Sequence, residues 1–258
     1  MSGISAINSV SRISYTDYGK FASGKAIQGA SDGAAQLSII QREDTQARGL
    51  QAAANNVATT NDMLKVADSA AAGITDYLQR IRELAVSASN TAVLSDSDRG
   101  AIQAEIDQMK QGINDLASQT TFNTKPLLDG SNPEFNVATD SNGNGLTVNM
   151  PNAMTDQLGI ADFDVTGSFN IDDIDKAIEK ISAGRSNMGA KSNALEHAYN
   201  YMTNARVNTI GAKSRLEDLD IPEAISEQKK KQTLQEYAMM MQRKRMEEEE
   251  NRMRGFFI

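Results

Sequence analysis

Twelve positions from Leu50 to Ala88 recur at spacings of three and four. They are Leu50, Ala53, Val57, Thr60, Leu64, Ala67, Ala71, Ile74, Leu78, Ile81, Ala85 and Ala88, with Thr60 the polar member. A 3.5-residue repeat kept over this length is the mark of a coiled-coil seam. The spacing predicts a helix over residues 45–89, spanning about 65 Å at 1.5 Å per residue. A helix of that length outruns the width of a small compact domain, so it calls for an equally long partner. Ala at five of the twelve seam positions predicts close approach of the two backbones.

The partner lies downstream. Ile171, Ile174, Ile178 and Ile181, then Leu195, Ala198, Met202, Ala205, Thr209, Ala212, Leu216 and Leu219, mark a second long seam. Asn170 stands where an N-cap belongs, with Asp172 and Asp173 in the first turn. A shorter helix carries Ile102, Ile106, Met109, Ile113 and Leu116 and is expected to fold back on the first. Ser95 to Asp98 supply its cap oxygens. The predicted fold class is mainly α, an elongated antiparallel coiled-coil helical rod with one small β-hairpin region. That hairpin is expected where Phe135, Val137 and Thr139 alternate, as do Leu146, Val148 and Met150, around Asn142-Gly143-Asn144-Gly145. Pro222 reads as a fresh helix start, giving a last helix over residues 223–254 with Leu234, Tyr237, Ala238 and Met241 on one stripe. Residues 1–30 read as a flexible or conditionally helical arm.

Composition supports narrow seams over a thick core: no Trp, 5% aromatic residues, and an apolar fraction rich in Ala. A net charge of −8 with no concentrated basic face argues against nucleic-acid binding. The stretch 223–254 mixes eight Lys/Arg with seven Glu, and Arg243/Glu247, Lys244/Glu248 and Arg245/Glu249 are i,i+4 pairs. They read as a solvated face, or as charges that pair between subunits. No apolar run reaches the length of a membrane span, so no membrane insertion is expected. Zero cysteines exclude thiolate chemistry.

Motifs with chemical potential fall short. Gly19 to Ala26 nearly matches a phosphate loop, but Ala26 lacks the hydroxyl a magnesium ion needs and no strand precedes it. Asp140, Asn142, Asn144 and Gly145 match the first half of a calcium loop, but the twelfth position is Pro151 instead of Glu. His197 is the single histidine, so no His cluster can bind zinc, and it reads as a half-exposed helix residue. No enzyme, cofactor or metal site is expected.

Longer stretches resemble one family. "FASGKAIQGASDGAAQLSI" (21–39), "LQRIRELAVSASN" (78–90), "SDSDRGAIQAEIDQMKQGINDLASQTTFNTKPLLDG" (95–130), "RSNMGAKSNALEHAYN" (185–200) and "SRLEDLDIPEA" (214–224) are similar, in order, to the signatures of bacterial flagellins. The resemblance implies a short form without large outer domains: residues 1–40 as N-terminal arm and inner-core segment, 41–120 as rod helices, and 121–169 as hairpin segment. Residues 170–220 would form the C-terminal rod helix and 221–258 an inner-core helix.

It further implies a subunit that polymerises into a flagellar filament, exported through the flagellar type III system without a signal peptide. The partners would be an export chaperone, the filament cap and further copies of the chain. Toll-like receptor 5 of animal hosts is a second implied partner, contacted through Gln79, Arg80, Leu84 and Glu105. Leu234, Tyr237, Met240, Met241, Phe256 and Phe257 are the expected assembly interface. The alternative is a hook–filament junction protein on a related core; a coiled-coil adaptor is the reading from another class. Two departures stand out: an arm about ten residues short before Ser23-Gly24, and the ending "MMMQRKRMEEEENRMRGFFI" in place of a Gln/Ala/Leu-rich tail.

Overall fold

The computed structural model describes residues 18–254. The expected arm before Tyr18, and Phe256 and Phe257, lie outside those residues. The chain divides into two compact units, residues 46–208 and residues 1–45 with 209–258. The helices are α1 (Ala30–Ala88), α2 (Asp96–Gln119), α3 (Thr155–Leu158), α4 (Asp172–Glu217) and α5 (Ile221–Arg254). The strands are β1 (Thr121–Phe122), β2 (Lys125–Pro126), β3 (Glu134–Ala138) and β4 (Gly145–Asn149).

In the unit 46–208, every seam position of α1 is buried except Thr60, which is half-buried. Ala54, Met63, Ala70 and Leu84 widen that stripe, because α1 is covered from two sides. On one side runs α2, antiparallel: Leu116 meets Gly73, and Tyr77 meets Gly112, where a methyl group would stand 3.1 or 3.2 Å from the neighbouring side chain. On the other runs α4, also antiparallel. Ser192 donates to Asn61 (2.5 Å), Arg185 to Asp68 (2.8 Å) and Arg82 to Asp175 (2.6 Å), so α4 numbers fall as α1 numbers rise. Both arginines have pKa values raised by their carboxylate partners' hydrogen bonds. Half-exposed pairs of this kind contribute little to stability; they specify which residue faces which.

The buried side of α4 is narrower than expected. Ile174, Ile181, Met188, Leu195, Met202 and Thr209 fall seven residues apart or in multiples of that step, with Ala177 added. Leu216, expected in the seam, is exposed, and Glu217 turns inward instead.

Caps begin these helices as side-chain chemistry dictates. Ser95 is the N-cap of α2 in a full capping box with Asp98: the Asp98 N–H donates to the Ser95 hydroxyl (3.2 Å) and the Ser95 N–H to the Asp98 carboxylate (2.9 Å). Asn170 accepts from the Asp172 N–H (3.0 Å) ahead of α4.

The hairpin stands where the sequence places it. β3 and β4 pair antiparallel with Phe135 opposite Val148 and Val137 opposite Leu146. Asp140 holds the tip by accepting from the N–H groups of Asn142 and Asn144 (2.8 Å each) and from the Asn144 amide. These bonds, the Asn144 amide first, hold its carboxyl below the ordinary value. The stretch from Asp140 to Gly145 is therefore a hairpin turn. A smaller hairpin, β1 with β2, was not legible; its turn residues Asn123 and Thr124 both take left-handed backbone (φ 47° and 66°), as a two-residue hairpin turn requires.

Polar side chains of α2 and α4 fasten the irregular chain after β4. Gln103 donates to the Phe163 carbonyl (3.2 Å) and accepts from the Val165 N–H (2.9 Å). Lys110 reaches the carbonyls of Ala161 and Phe163, and Asn114 accepts from both the N–H and the hydroxyl of Thr155. Lys180 of α4 caps the end of α3 through the Gln157 and Leu158 carbonyls. Orphan carbonyls thus find donors, and Leu158, Ile160, Phe163 and Val165 are buried beneath.

In the other unit, α1 starts earlier than the predicted residue 45. Its first residues, where the extended backbone of Gly33 interrupts the helix (φ 165°, ψ 94°), follow a turn built by the motif 21–39. The Asp32 carboxylate accepts from the N–H groups of Gln28 (3.0 Å) and Gly29 (3.2 Å), with Lys20 at 3.4 Å. Residues 24–26 then pair with the end of α4: Ala26 N–H donates to the Glu217 carbonyl (2.7 Å) and Leu219 N–H to the Gly24 carbonyl (2.9 Å). Gly24 takes φ +68° to make that contact. Glu217, 8% exposed, ion-pairs with Lys25 (2.5 Å) and lies 3.6 Å from Lys213, which also binds Asp44. Two lysines offset the cost of burying that carboxylate.

Candidate assembly and recognition surfaces

A helix in a folded protein normally owes its stability to one buried face. The described side chains of α5 have none: from Ile221 to Met253 no side chain is buried, and only Ala224, Gln228 and Gln235 are half-covered. Its order comes from local chemistry. Lys, Gln, Glu, Met, Arg and Ala are strong helix formers, and Asp220, two residues before Pro222, accepts from the Glu223 N–H (3.2 Å) at its start. Among the described residues, Arg243, Lys244 and Arg245 form no ion pair with Glu247, Glu248 or Glu249, and all six are exposed.

The proposed interface residues on α5 are open to solvent: Leu234 60%, Tyr237 61%, Met240 67% and Met241 41% exposed. Ile221, Ile225, Met239, Met246 and Met253 are exposed as well, which the sequence reading did not single out. The signal was present: Ile225, Met239, Met246 and Met253 share one seven-residue column, broken only by Gln232. Together these side chains form an exposed apolar surface larger than the scattered single residues of an ordinary monomer face.

The second surface lies on α1 and α2. Gln79 and Arg80 are exposed on α1, and Arg80 bridges Glu83 (3.0 Å) and Glu105 of α2 (3.2 Å). The two carboxylates raise the arginine's pKa, Glu83 first. Arg80 and Glu105 are thus brought together, and Gln79 is exposed beside Arg80 in the chain. Leu84 is not part of it; at 8% exposed it packs in the core. Glu83 joins the patch, and its i,i+3 spacing from Arg80 was the available signal.

No helix among the described residues is long and apolar enough to cross a membrane. Comparison with known proteins matches residues 6–133 to the bacterial flagellin N-terminal helical region and residues 171–247 to the bacterial flagellin C-terminal helical region. A flagellin of Halalkalibacterium halodurans is 32% identical over 216 residues, covering 81% of this chain and 79% of the relative. A flagellin of Bacillus subtilis is 30% identical over 276 residues and covers 90% of each chain. The crystal structure of a Bacillus cereus flagellin superposes with a TM-score of 0.51 at 25% identity, covering 57% of this chain and 88% of that one. The two matched regions cover α1, α2, α4 and most of α5, and the chain belongs to the bacterial flagellin family.

Proposed function

We propose that this chain is the structural subunit of an extracellular flagellar filament and that it polymerises through α5. The observation that carries the reading is a 34-residue helix without one buried side chain among its described ones, in a chain whose residues 46–208 enclose a continuous apolar core. Head-to-tail contacts between unlike patches do not close, so each added subunit regenerates the binding face and a helical polymer grows. Burial of the α5 methionines, Leu234 and Tyr237 on assembly then offsets the entropy of ordering the termini. Phe256 and Phe257 belong to the same proposed layer. Export through the flagellar type III apparatus, a chaperone holding the C-terminal helix and a filament cap complete the reading.

The test is negative-stain electron microscopy of the purified chain in polymerising salt. Full-length protein is expected to give long filaments, whereas a chain lacking residues 230–258 is expected to stay helical by circular dichroism and form none. Filaments from the truncated chain would overturn the proposal. Short rings or caps from the full chain would instead support the hook–filament junction alternative.

Recognition by Toll-like receptor 5 is a second reading, favoured by the Arg80–Glu105 pairing, with Gln79 exposed next to Arg80. Leu84 would serve it by seating this stretch of α1. Arg80→Ala is expected to weaken binding to the purified receptor ectodomain at least about fivefold, the scale of one lost interface contact. Unchanged affinity would remove the reading.

A further inference from the structure

The methionines of this chain are sorted by solvent access. Met188 and Met202 are 1% and 0% exposed, and Met63 and Met150 are 6% and 7% exposed. Met239, Met240, Met241, Met246 and Met253 are 57%, 67%, 41%, 62% and 66% exposed, all on α5. A core methionine is shielded by packed neighbours. An α5 thioether meets small solutes directly, and no Cys thiolate anywhere in the sequence competes with it for oxidant.

We infer that the α5 methionines are a modification site for two-electron oxidants of the peroxide or hypochlorous acid class, and that their oxidation switches off polymerisation. The step balances without a cofactor. A sulfur lone pair attacks one oxygen of hydrogen peroxide, the O–O bond breaks as the S–O bond forms, and the departing oxygen leaves as water after proton transfer. Sulfur is oxidised to the sulfoxide and the peroxide is reduced. An apolar, flexible side chain becomes a polar one with a strong acceptor oxygen. On a solvated helix this change is tolerated. In a dry interface each sulfoxide oxygen must be desolvated without a matching donor. The modification therefore leaves the monomer intact and opposes the contact between monomers.

The second half of this inference rests on assembly through α5, so the experiment reads the two steps separately. Full-length monomer is treated with graded hydrogen peroxide, each methionine is scored for sulfoxide by peptide mass spectrometry, and the samples are then polymerised. Sulfoxide is expected at Met239, Met240, Met241, Met246 and Met253 at least about tenfold faster than at Met188 and Met202. Filament yield should fall in step with α5 sulfoxide while the thermal unfolding of the monomer stays unchanged. Treatment with methionine sulfoxide reductases should restore the yield. Equal oxidation of Met188 and Met202, or undiminished filaments from chains fully oxidised on α5, would overturn the inference. Failure of untreated protein to polymerise would count against the assembly reading itself, with the sulfoxide map still deciding the order of oxidation.

Discussion

At the scale of single residues, close packing makes the smallest side chains the most constrained. Gly184 of α4 lies against the ring of Pro151, where an added Cβ would stand 2.8 and 2.9 Å from two ring carbons. A proline ring cannot swing aside as a long side chain does, so α4 and the chain after β4 must separate. Gly184→Ala is expected to cost about 1–3 kcal/mol, lowering Tm by about 2–4 °C per kcal/mol for a chain of this size. Calorimetry or thermal circular dichroism checks it; an unchanged Tm would mean the contact is slack. Neither this glycine nor Gly49, whose Cβ would meet Ser141 at the hairpin tip, was legible in the sequence. Their partners are remote in the chain, and a glycine in a helical pattern reads locally only as a weak point. Glu217, beside Asp218, reads locally as a solvated acid at a helix end, and its burial was hidden for the same reason. It occupies the inward position next to Leu216 because Lys25 and Lys213 converge on it.

At the scale of elements, periodicity located the buried face of α1 almost position by position, because apolar burial on a long helix follows its geometric repeat. It failed where elements are short or their order is local. β1, β2 and α3 are too brief to show a period. The start of α1 is fixed by hydrogen bonds to Asp32 and not by an apolar stripe; Ile40 is its first buried hydrophobic residue. The start of α2 was legible in Ser95 and Asp98, and it carries a pH dependence. The Ser95 hydroxyl, and then its N–H, hold the Asp98 carboxyl below its ordinary value of 3.8. A carboxyl whose folded value is depressed stabilises the fold fully above the unfolded value and loses that contribution as pH falls through the folded one. Wild type should therefore lose more stability than Asp98→Asn between about pH 5 and pH 2, measured as Tm against pH. Identical slopes would show that the capping box does not titrate. Ser95→Ala should cost about 1 kcal/mol at neutral pH.

At the scale of the whole molecule, the two kinds of surface predict an order of attack. Local opening is easiest where few apolar contacts are lost. Lys229, Lys230, Arg243, Lys244 and Arg245 lie on α5 with nothing buried around them, whereas Arg82 and Arg185 are tied to Asp175 and Asp68. Limited trypsin treatment of dilute monomer should cut α5 at least about tenfold faster than Arg82 or Arg185 and leave a fragment retaining residues 46–208. First cleavage inside 46–208 would contradict this. The polar rungs between α1 and α4 have a further consequence. A seam built from repeated Ala, Leu, Ile and Met is nearly degenerate: sliding α4 by one heptad again sets apolar beside apolar. The rungs are not degenerate. In one direction the slide moves Ile178 into the place Arg185 holds beside Asp68; in the other it brings Ser192 there and Ser182 to Arg82. Each frameshifted pairing strands a charge. Asn61–Ser192, Asp68–Arg185 and Arg82–Asp175 thus act as a reading frame for the folding chain, and their worth lies in the misaligned pairings they reject.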